Sequence, residues 1–450
     1  MFDSFLTFIN QPGLDLAERR TLLTVSGGID SIVMLNLFYK AGLAAGVAHC
    51  NFGLRGEESV LDELFVRQLA ERYGFPVHVK SFDTKSYAKE KSISTQMAAR
   101  DLRYEWFESI RNEYSYDLVA TAHHSGDALE TALLNLARGT GIAGLHGIAF
   151  QNKCLIRPIL FATKEEIAHY ANLNKLVWRE DRSNNSLDYK RNLIRHRIIP
   201  VMKELNPSVE NTFKITSERL SAADALLSEY LNHWKREVMK QVGDELHISI
   251  EALKSTSETT YRLWFILKDY AFSYIQTIQI SKALNSLSGK LFYSVSHILL
   301  KDRTILILRG INEEEDEIPS IVLNKEAQRV DLGDYSLFFE TLENSASLEI
   351  VKSGNAIFLD EAKLRFPLSV RNWLSGDIFC PFGMNGKRKK VSDLLVDAKL
   401  NLFAKKEIKV LVNGDGNLLW VIGIRADDRY RIAPETEHIV KISVMEKLLN

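Results

Sequence analysis

The run Ser26-Gly27-Gly28-Ile29-Asp30-Ser31 joins the apolar, β-branched stretch 21–25 to a helical pattern over 31–40. Two adjacent glycines let the backbone turn tightly and approach a ligand closely. The unpaired N–H groups of a helix start then face that turn, and the helix dipole favours an anion there. The hydroxyls of Ser26 and Ser31 add donors, and Asp30 could hold a cation or an attacking group. A strand must therefore end, and a helix begin, at one edge of a sheet.

The rest of the first 200 residues repeats that alternation. Strand patterns occupy 46–50, 76–82 and 116–124; helical patterns occupy 57–73, 95–114 and 126–138, with Gly42 and Gly74 closing the first two helices. Strands interleaved with helices imply right-handed crossovers and an α/β, doubly wound parallel sheet. Ligands of such sheets bind outside the carboxyl ends of the strands.

The chain's 450 residues suggest roughly two to four domains at about 150 residues each. An acidic segment, 313–317, is followed by Pro319 and marks a boundary, as does Asn206-Pro207. The expected organisation is a catalytic domain over 1–208, a mainly helical middle domain over 209–312, and a small α+β or β-rich domain over 320–450. Lysine plus arginine number 57 against 58 for aspartate plus glutamate, so any polyanion site must be built locally. Cys50, Cys154 and Cys380 lie far apart and form no C-x-x-C pair, which argues against a zinc knuckle or a disulfide framework. No apolar run approaches the ~18 residues a membrane span needs. A soluble, cytoplasmic protein with no membrane partner is expected.

Further polar motifs fall at the carboxyl ends of the predicted strands. His49, Asn51 and Arg55 follow the second strand. His123, Asp127 and Glu130 follow the fourth, spaced i, i+4, i+7 on one helical face. Two carboxylates with an imidazole could bind Mg²⁺, position a substrate amine or accept a proton. Arg100 and Arg103 suit phosphate contact. The segment 181–203 carries six Lys/Arg against two Asp, with Arg191 and Arg195 one turn apart, and 387–390 reads KRKK.

The glycine-rich loop resembles the PP-loop of the N-type ATP pyrophosphatases. Its order with the motifs at 49–59, AARDLRY (98–104), 122–148 and 178–195 is similar to the tRNA(Ile)-lysidine synthetase family. Residues 376–430 resemble that family's terminal module. The resemblance implies that ATP activates the C2 carbonyl of the wobble cytidine in the CAU anticodon of tRNA-Ile. Free L-lysine then displaces AMP to give lysidine, switching the codon read from AUG to AUA. It implies ATP bound by Ser26, Gly27, Gly28, Ile29, Asp30, Ser31, His49, Asn51, Arg55 and His123. Asp30, Asp127, Glu130, Arg103 and Arg195 would be catalytic, and Mg²⁺ would sit on Asp127 and Glu130. A homodimer is left open.

Two positions depart from the family pattern. Gly126 stands where a first aspartate is common, and Phe52 where a second histidine is common. Two rival readings stand beside the preferred one: another PP-loop enzyme that adenylates tRNA, such as a thiolase, and a non-catalytic nucleotide- and RNA-binding module.

Overall fold

The computed structural model describes residues 1–10, 15–54, 56–179, 190–311, 320–333, 335–344 and 355–446. Arg55, the stretch 180–189 and the acidic segment 313–317 lie outside the described residues. The chain divides into two compact units, Met1–Tyr230 and Leu231–Asn450.

In the first unit, strands β1 (Thr21–Thr24), β2 (Ala45–Asn51), β3 (Val77–Ser81), β4 (Leu118–Ala120), β5 (Gln151–Asn152) and β6 (Leu155–Ile156) form one sheet in the order 3-2-1-4-6-5. All neighbours are parallel except β5 and β6. The helices are α1 (Phe2–Ile9), α2 (Ile29–Lys40), α3 (Glu57–Arg72), α4 (Thr84–Glu90), α5 (Thr95–Glu113), α6 (Ser125–Arg138), α7 (Ile142–Leu145) and α8 (Lys164–Leu173). They are followed by α9 (Lys190–Leu193), α10 (Ile199–Leu205) and α11 (Val209–Val238), with one π-helical turn, Ile194–Ile198, between α9 and α10.

Strand alternation divides the core between the two sheet faces. Leu23, Val47, Leu118 and Ala120 pack with α2, while Leu22, Ala48 and Val119 pack with Trp106, Phe107 and Ile110 of α5. Ile32 to Phe38 of α2 are buried all round, matching a helix with no polar face. Gly46 is fixed by contact: a Cβ there would stand 1.9 Å from the Tyr116 hydroxyl. With β1 central and its neighbours leaving it in opposite directions, the crevice at its carboxyl end is the topological switch point of the sheet.

Where sequence suggests a mainly helical middle domain, the second unit has the helices Ile250–Lys254, Thr259–Leu267 and Tyr274–Ala283 together with a five-stranded antiparallel sheet. Its strands are only four to six residues long, too short for periodicity to separate them from helix turns. Beyond residue 320, two antiparallel sheets of five and four strands supply the β-rich part. Trp420 and Leu337 are fully buried between them in one cluster. Among the described residues, no helix is long and apolar enough to cross a membrane.

Candidate active site

The glycine-rich run is the link between β1 and α2. Gly27 takes φ +94°, a conformation that side-chain-bearing residues rarely adopt, and its carbonyl accepts the Arg179 N–H at 3.0 Å. Gly28 is the N-cap of α2 in an extended conformation, and no side chain caps this helix. Its first N–H groups are thus left for an anion. Ser31 Oγ donates to the Gly28 carbonyl at 2.8 Å and lies 3.4 Å from Ser26 Oγ, holding both hydroxyls at the turn. Arg179 also pairs through its guanidinium with the buried Asp62 of α3, which braces the loop from behind.

Ser26, Gly28, Asp30, Ser31, Arg103 and His123 line one cavity of about 320 Å³ at the carboxyl ends of β1, β2 and β4. Tyr104 and Phe107 also line it. Among the described residues Asp30 is the one carboxylate in that lining, and it accepts from Lys164 Nζ of α8 at 2.6 Å. The Arg103 guanidinium stands 5.2 Å from the centre of the Phe52 ring and makes no hydrogen bond or ion pair with the described residues. Phe52 in turn stacks on Phe82, with ring centres 5.5 Å apart. Phe52, one of the two positions that depart from the family pattern, therefore forms the bed of a guanidinium that no described residue pairs. His123 Nδ1 bonds Thr121 Oγ1 at 2.9 Å, and burial pushes its pKa down to about 4, leaving the imidazole neutral near pH 7.

Four of the described nucleotide-binding residues expected from sequence, Gly27, Ile29, His49 and Asn51, do not line the cavity. The pleat of β2 turns Ala48 and Cys50 to the cavity, and Phe52, the next residue after the strand, continues the phase, so His49 and Asn51 fall on the other face. His49 is buried, with Nδ1 bonding the Val25 carbonyl at 2.8 Å, and burial lowers its pKa. Asn51 donates to Glu63 at 3.1 Å and accepts from the Gly53 N–H at 3.0 Å. Neither lines the cavity: His49 is tied to the strand end below the phosphate loop, and Asn51 to α3 and to the turn after β2. Ile29 packs on the hydrophobic core.

Asp127 and Glu130 face two arginines. Glu130, 2% exposed, accepts from Arg191 Nε at 2.6 Å and from Arg195 Nε at 2.5 Å. Asp127 Oδ1 accepts from Arg191 at 2.8 Å and Arg195 at 3.3 Å, while Oδ2 accepts the His124 N–H at 3.0 Å. Burial opposes ionisation of Asp127, but His124 and Arg191 outweigh it and hold the carboxyl below its ordinary value. With their oxygens committed to guanidinium groups, these two carboxylates are poorly disposed as a ready-made Mg²⁺ pair. Among the described residues, no cluster of three His, Cys, Asp or Glu side chains is arranged for a metal ion. Gly126 has a local reason: a Cβ there would stand 2.9 Å from the His124 ring, which caps α6 by accepting the Gly126 N–H.

Lys164 and Asp62 were not legible as site residues. Lys164 reads as an ordinary first-turn lysine after the Thr163 cap, and only the packing of α8 beside α2 brings it to Asp30.

A PP-loop domain family matches residues 3–202, and a TilS substrate binding domain family matches residues 241–311. A tRNA(Ile)-lysidine synthase of Parabacteroides distasonis is 38% identical over 445 residues, covering 99% of this chain and 100% of its own. That of Bacteroides thetaiotaomicron is 37% identical over 436 residues, 97% of each chain. That of Bacillus subtilis is 30% identical over 441 residues, covering 93% of this chain and 92% of its own. Loop, cavity and full-length similarity agree, and the chain belongs to the tRNA(Ile)-lysidine synthase family.

Proposed function

We propose that this enzyme converts the wobble cytidine of the CAU-anticodon tRNA-Ile to lysidine, using ATP and free L-lysine. In the first step the C2 carbonyl oxygen attacks the α-phosphorus of ATP, and pyrophosphate leaves. In the second, the lysine ε-amine, having lost a proton, attacks C2. The C2–O bond breaks and the oxygen departs with AMP, a far better leaving group than the original carbonyl oxygen.

The observation that carries this reading is the cavity at the end of β1. An uncapped helix start and two hydroxyls face it from the phosphate loop, and Arg103, whose guanidinium has no ion pair among the described residues, lines it too. That arrangement suits a polyphosphate whose α-phosphorus is attacked. Asp30 provides the single carboxylate of the lining among the described residues, which matches Mg²⁺ held by one protein carboxylate and the nucleotide's own phosphates. The ion would screen phosphate charge; Lys164 takes Asp30 Oδ1, and Oδ2, which makes no hydrogen bond with the described residues, would be the oxygen left for it. Burial opposes the charge on Arg195, but Glu130, Asp127 and Asp30 outweigh it, and the guanidinium stays cationic for the transferred group. A proton-accepting role for Asp127 or Glu130 requires Arg191 and Arg195 to move aside when lysine enters.

The division of labour follows from the lengths. Residues 1–208 are the adenylating domain, and 209–312 and 320–450 are tRNA-binding modules that present cytidine unstacked. Lys387, Arg388 and Lys390 are exposed and available to phosphates, whereas Lys389 is tied to Asp397. Thiolation is disfavoured by Cys50, the thiol lining the cavity: burial pushes its pKa up to about 12, so it is protonated near neutral pH.

The test combines ATP, labelled lysine and a CAU-anticodon tRNA-Ile transcript. Label should enter RNA in step with AMP and pyrophosphate. Label that stays out of RNA while ATP is consumed overturns the proposal.

A further inference from the structure

Three cations stand around the nucleotide cavity without lining it: Lys80, Arg100 and Arg157. Arg100 of α5 is exposed, and its guanidinium lies 5.0 Å from the centre of the Tyr104 ring, which does line the cavity. Arg157 follows β6 at the same carboxyl edge where His123 follows the neighbouring parallel strand β4. It is half-buried, and its Nη1 donates to the Ala149 carbonyl at 2.5 Å. Burial lowers the Arg157 pKa, Tyr104 opposes that and Arg100 adds to it, so both arginines stand beside one ring. Across the sheet, Lys80 of β3 pairs in register with Cys50 of β2 and shares the face that Cys50 turns to the cavity. Lys80 is exposed, with Nζ 5.4 Å from the centre of the Phe82 ring, itself stacked on Phe52.

None of the three forms an ion pair with the described residues. Arg157 Nε is also buried with no acceptor among them. Like charges gathered without carboxylates repel one another, and a half-buried guanidinium adds a desolvation cost, so the set is stabilised only when an anion arrives. ATP does not need it, because the phosphate loop and Arg103 already serve the polyphosphate from inside the cavity. In the order 3-2-1-4-6-5, β3 and β6 lie four strand spacings apart, about 19 Å. That span suits successive phosphates of one strand crossing the mouth rather than a single phosphate group. The rings of Phe82, Phe52 and Tyr104 alternate with the cations along it, the pairing of stacking surface and positive charge that single-stranded RNA uses.

We propose that Lys80, Arg100 and Arg157 form a backbone clamp that holds the phosphodiesters on either side of the wobble cytidine across the cavity mouth, while the base enters beside Tyr104. All three are positioning residues: they hold the strand and touch neither the reacting carbonyl nor the α-phosphate. Contacts to phosphate carry no base information, so the clamp grips any loop of the same shape, and the choice of base is made inside the cavity. This assignment deepens the lysidine-forming reading above and rests on it.

The test measures binding of a CAU anticodon stem-loop RNA to the full chain, without ATP or lysine, over a series of salt concentrations. Lys80→Gln, Arg100→Gln and Arg157→Gln should each weaken binding about tenfold, as for loss of one charge-assisted hydrogen bond. Each should also flatten the plot of log affinity against log salt by about 0.7, the share of one single-stranded phosphate. Arg100→Lys keeps the charge and should keep the slope. A stem-loop with uridine at the wobble position should lose affinity by the same factor in each variant. In turnover, the KM for tRNA should rise while the KM for ATP stays unchanged. Unchanged affinity and slope in the three variants overturns the clamp, as does a loss confined to the CAU sequence. If wild-type protein binds the stem-loop but forms no lysidine, the functional reading fails and the salt slopes still decide the clamp. Should Arg157→Gln not fold, as judged by circular dichroism, the two exposed positions carry the test.

Discussion

Glu130 bridges Arg191 and Arg195: one carboxylate, almost fully buried, accepts from the Nε of each guanidinium at 2.6 and 2.5 Å. Removing it leaves two like charges side by side with only Asp127 between them. Glu130→Ala should lower the unfolding free energy by about 3 kcal/mol, near the low end for a broken buried pair because both arginines are about one-third exposed. Glu130→Gln, which keeps one acceptor oxygen, should lose less. Urea denaturation midpoints measure both, and wild-type stability in Glu130→Ala would show that the cluster contributes little.

Asp30 should separate activity from folding. Its partner Lys164 is half exposed, and such a pair contributes no more than about 1 kcal/mol. Asp30→Ala should therefore keep a wild-type circular dichroism spectrum while pyrophosphate release falls about 100-fold or more, as for loss of one electrostatic contact to a transition state. Pyrophosphate release at the wild-type rate would remove Asp30 from the chemistry.

Phe52 should act through Arg103. A ring face beneath a guanidinium contributes about 0.5–1 kcal/mol at a part-exposed site, so Phe52→Ala should raise the KM for ATP by roughly two- to fivefold. Phe52→Tyr keeps the ring and should behave as wild type. Equal KM values for Phe52→Ala and wild type would detach the ring from nucleotide binding.

His123 gives a pH signature. Burial holds its folded pKa near 4 against an ordinary 6.5. Between those values the unfolded chain takes up a proton that the folded chain refuses, so stability falls as pH drops from 6.5 towards 4 and is unaffected above 6.5. Asp127 has the same sign at lower pH: its depressed pKa contributes stability above the ordinary carboxyl range and loses it as pH falls through the folded value. NMR titration of the His123 ring protons should show an inflection near 4, and an inflection near 6.5 would contradict this.

Local chemistry made the phosphate loop readable, because Gly27 and the serines must be those residue types wherever a strand hands over to an anion-binding helix start. The parallel sheet was readable for the same reason, through long, regular alternation. What escaped was contact between distant segments. Nothing near Lys164 or Asp62 announces that α8 reaches Asp30 or that Asp62 clamps Arg179. The grouping of His49 with Asn51 as ligands missed the phase of β2, since sequence places them near the right edge but does not say which face they occupy. Arg191 and Arg195 were correctly paired on one face, yet sequence could not say that Asp127 and Glu130 would meet them.

The phase of β2 also sorts the genetics of one short stretch. Substitutions at 49 and 51 remove buried hydrogen bonds to Val25 and to Glu63, so their carriers should behave as temperature-sensitive alleles, rescued by cooling. Substitutions at 50 and 52 alter the chamber itself, and cooling should not rescue them; excess substrate should. Neighbouring codons would thus fall into two complementation-by-condition classes, alternating residue by residue through the end of β2 and the residue after it.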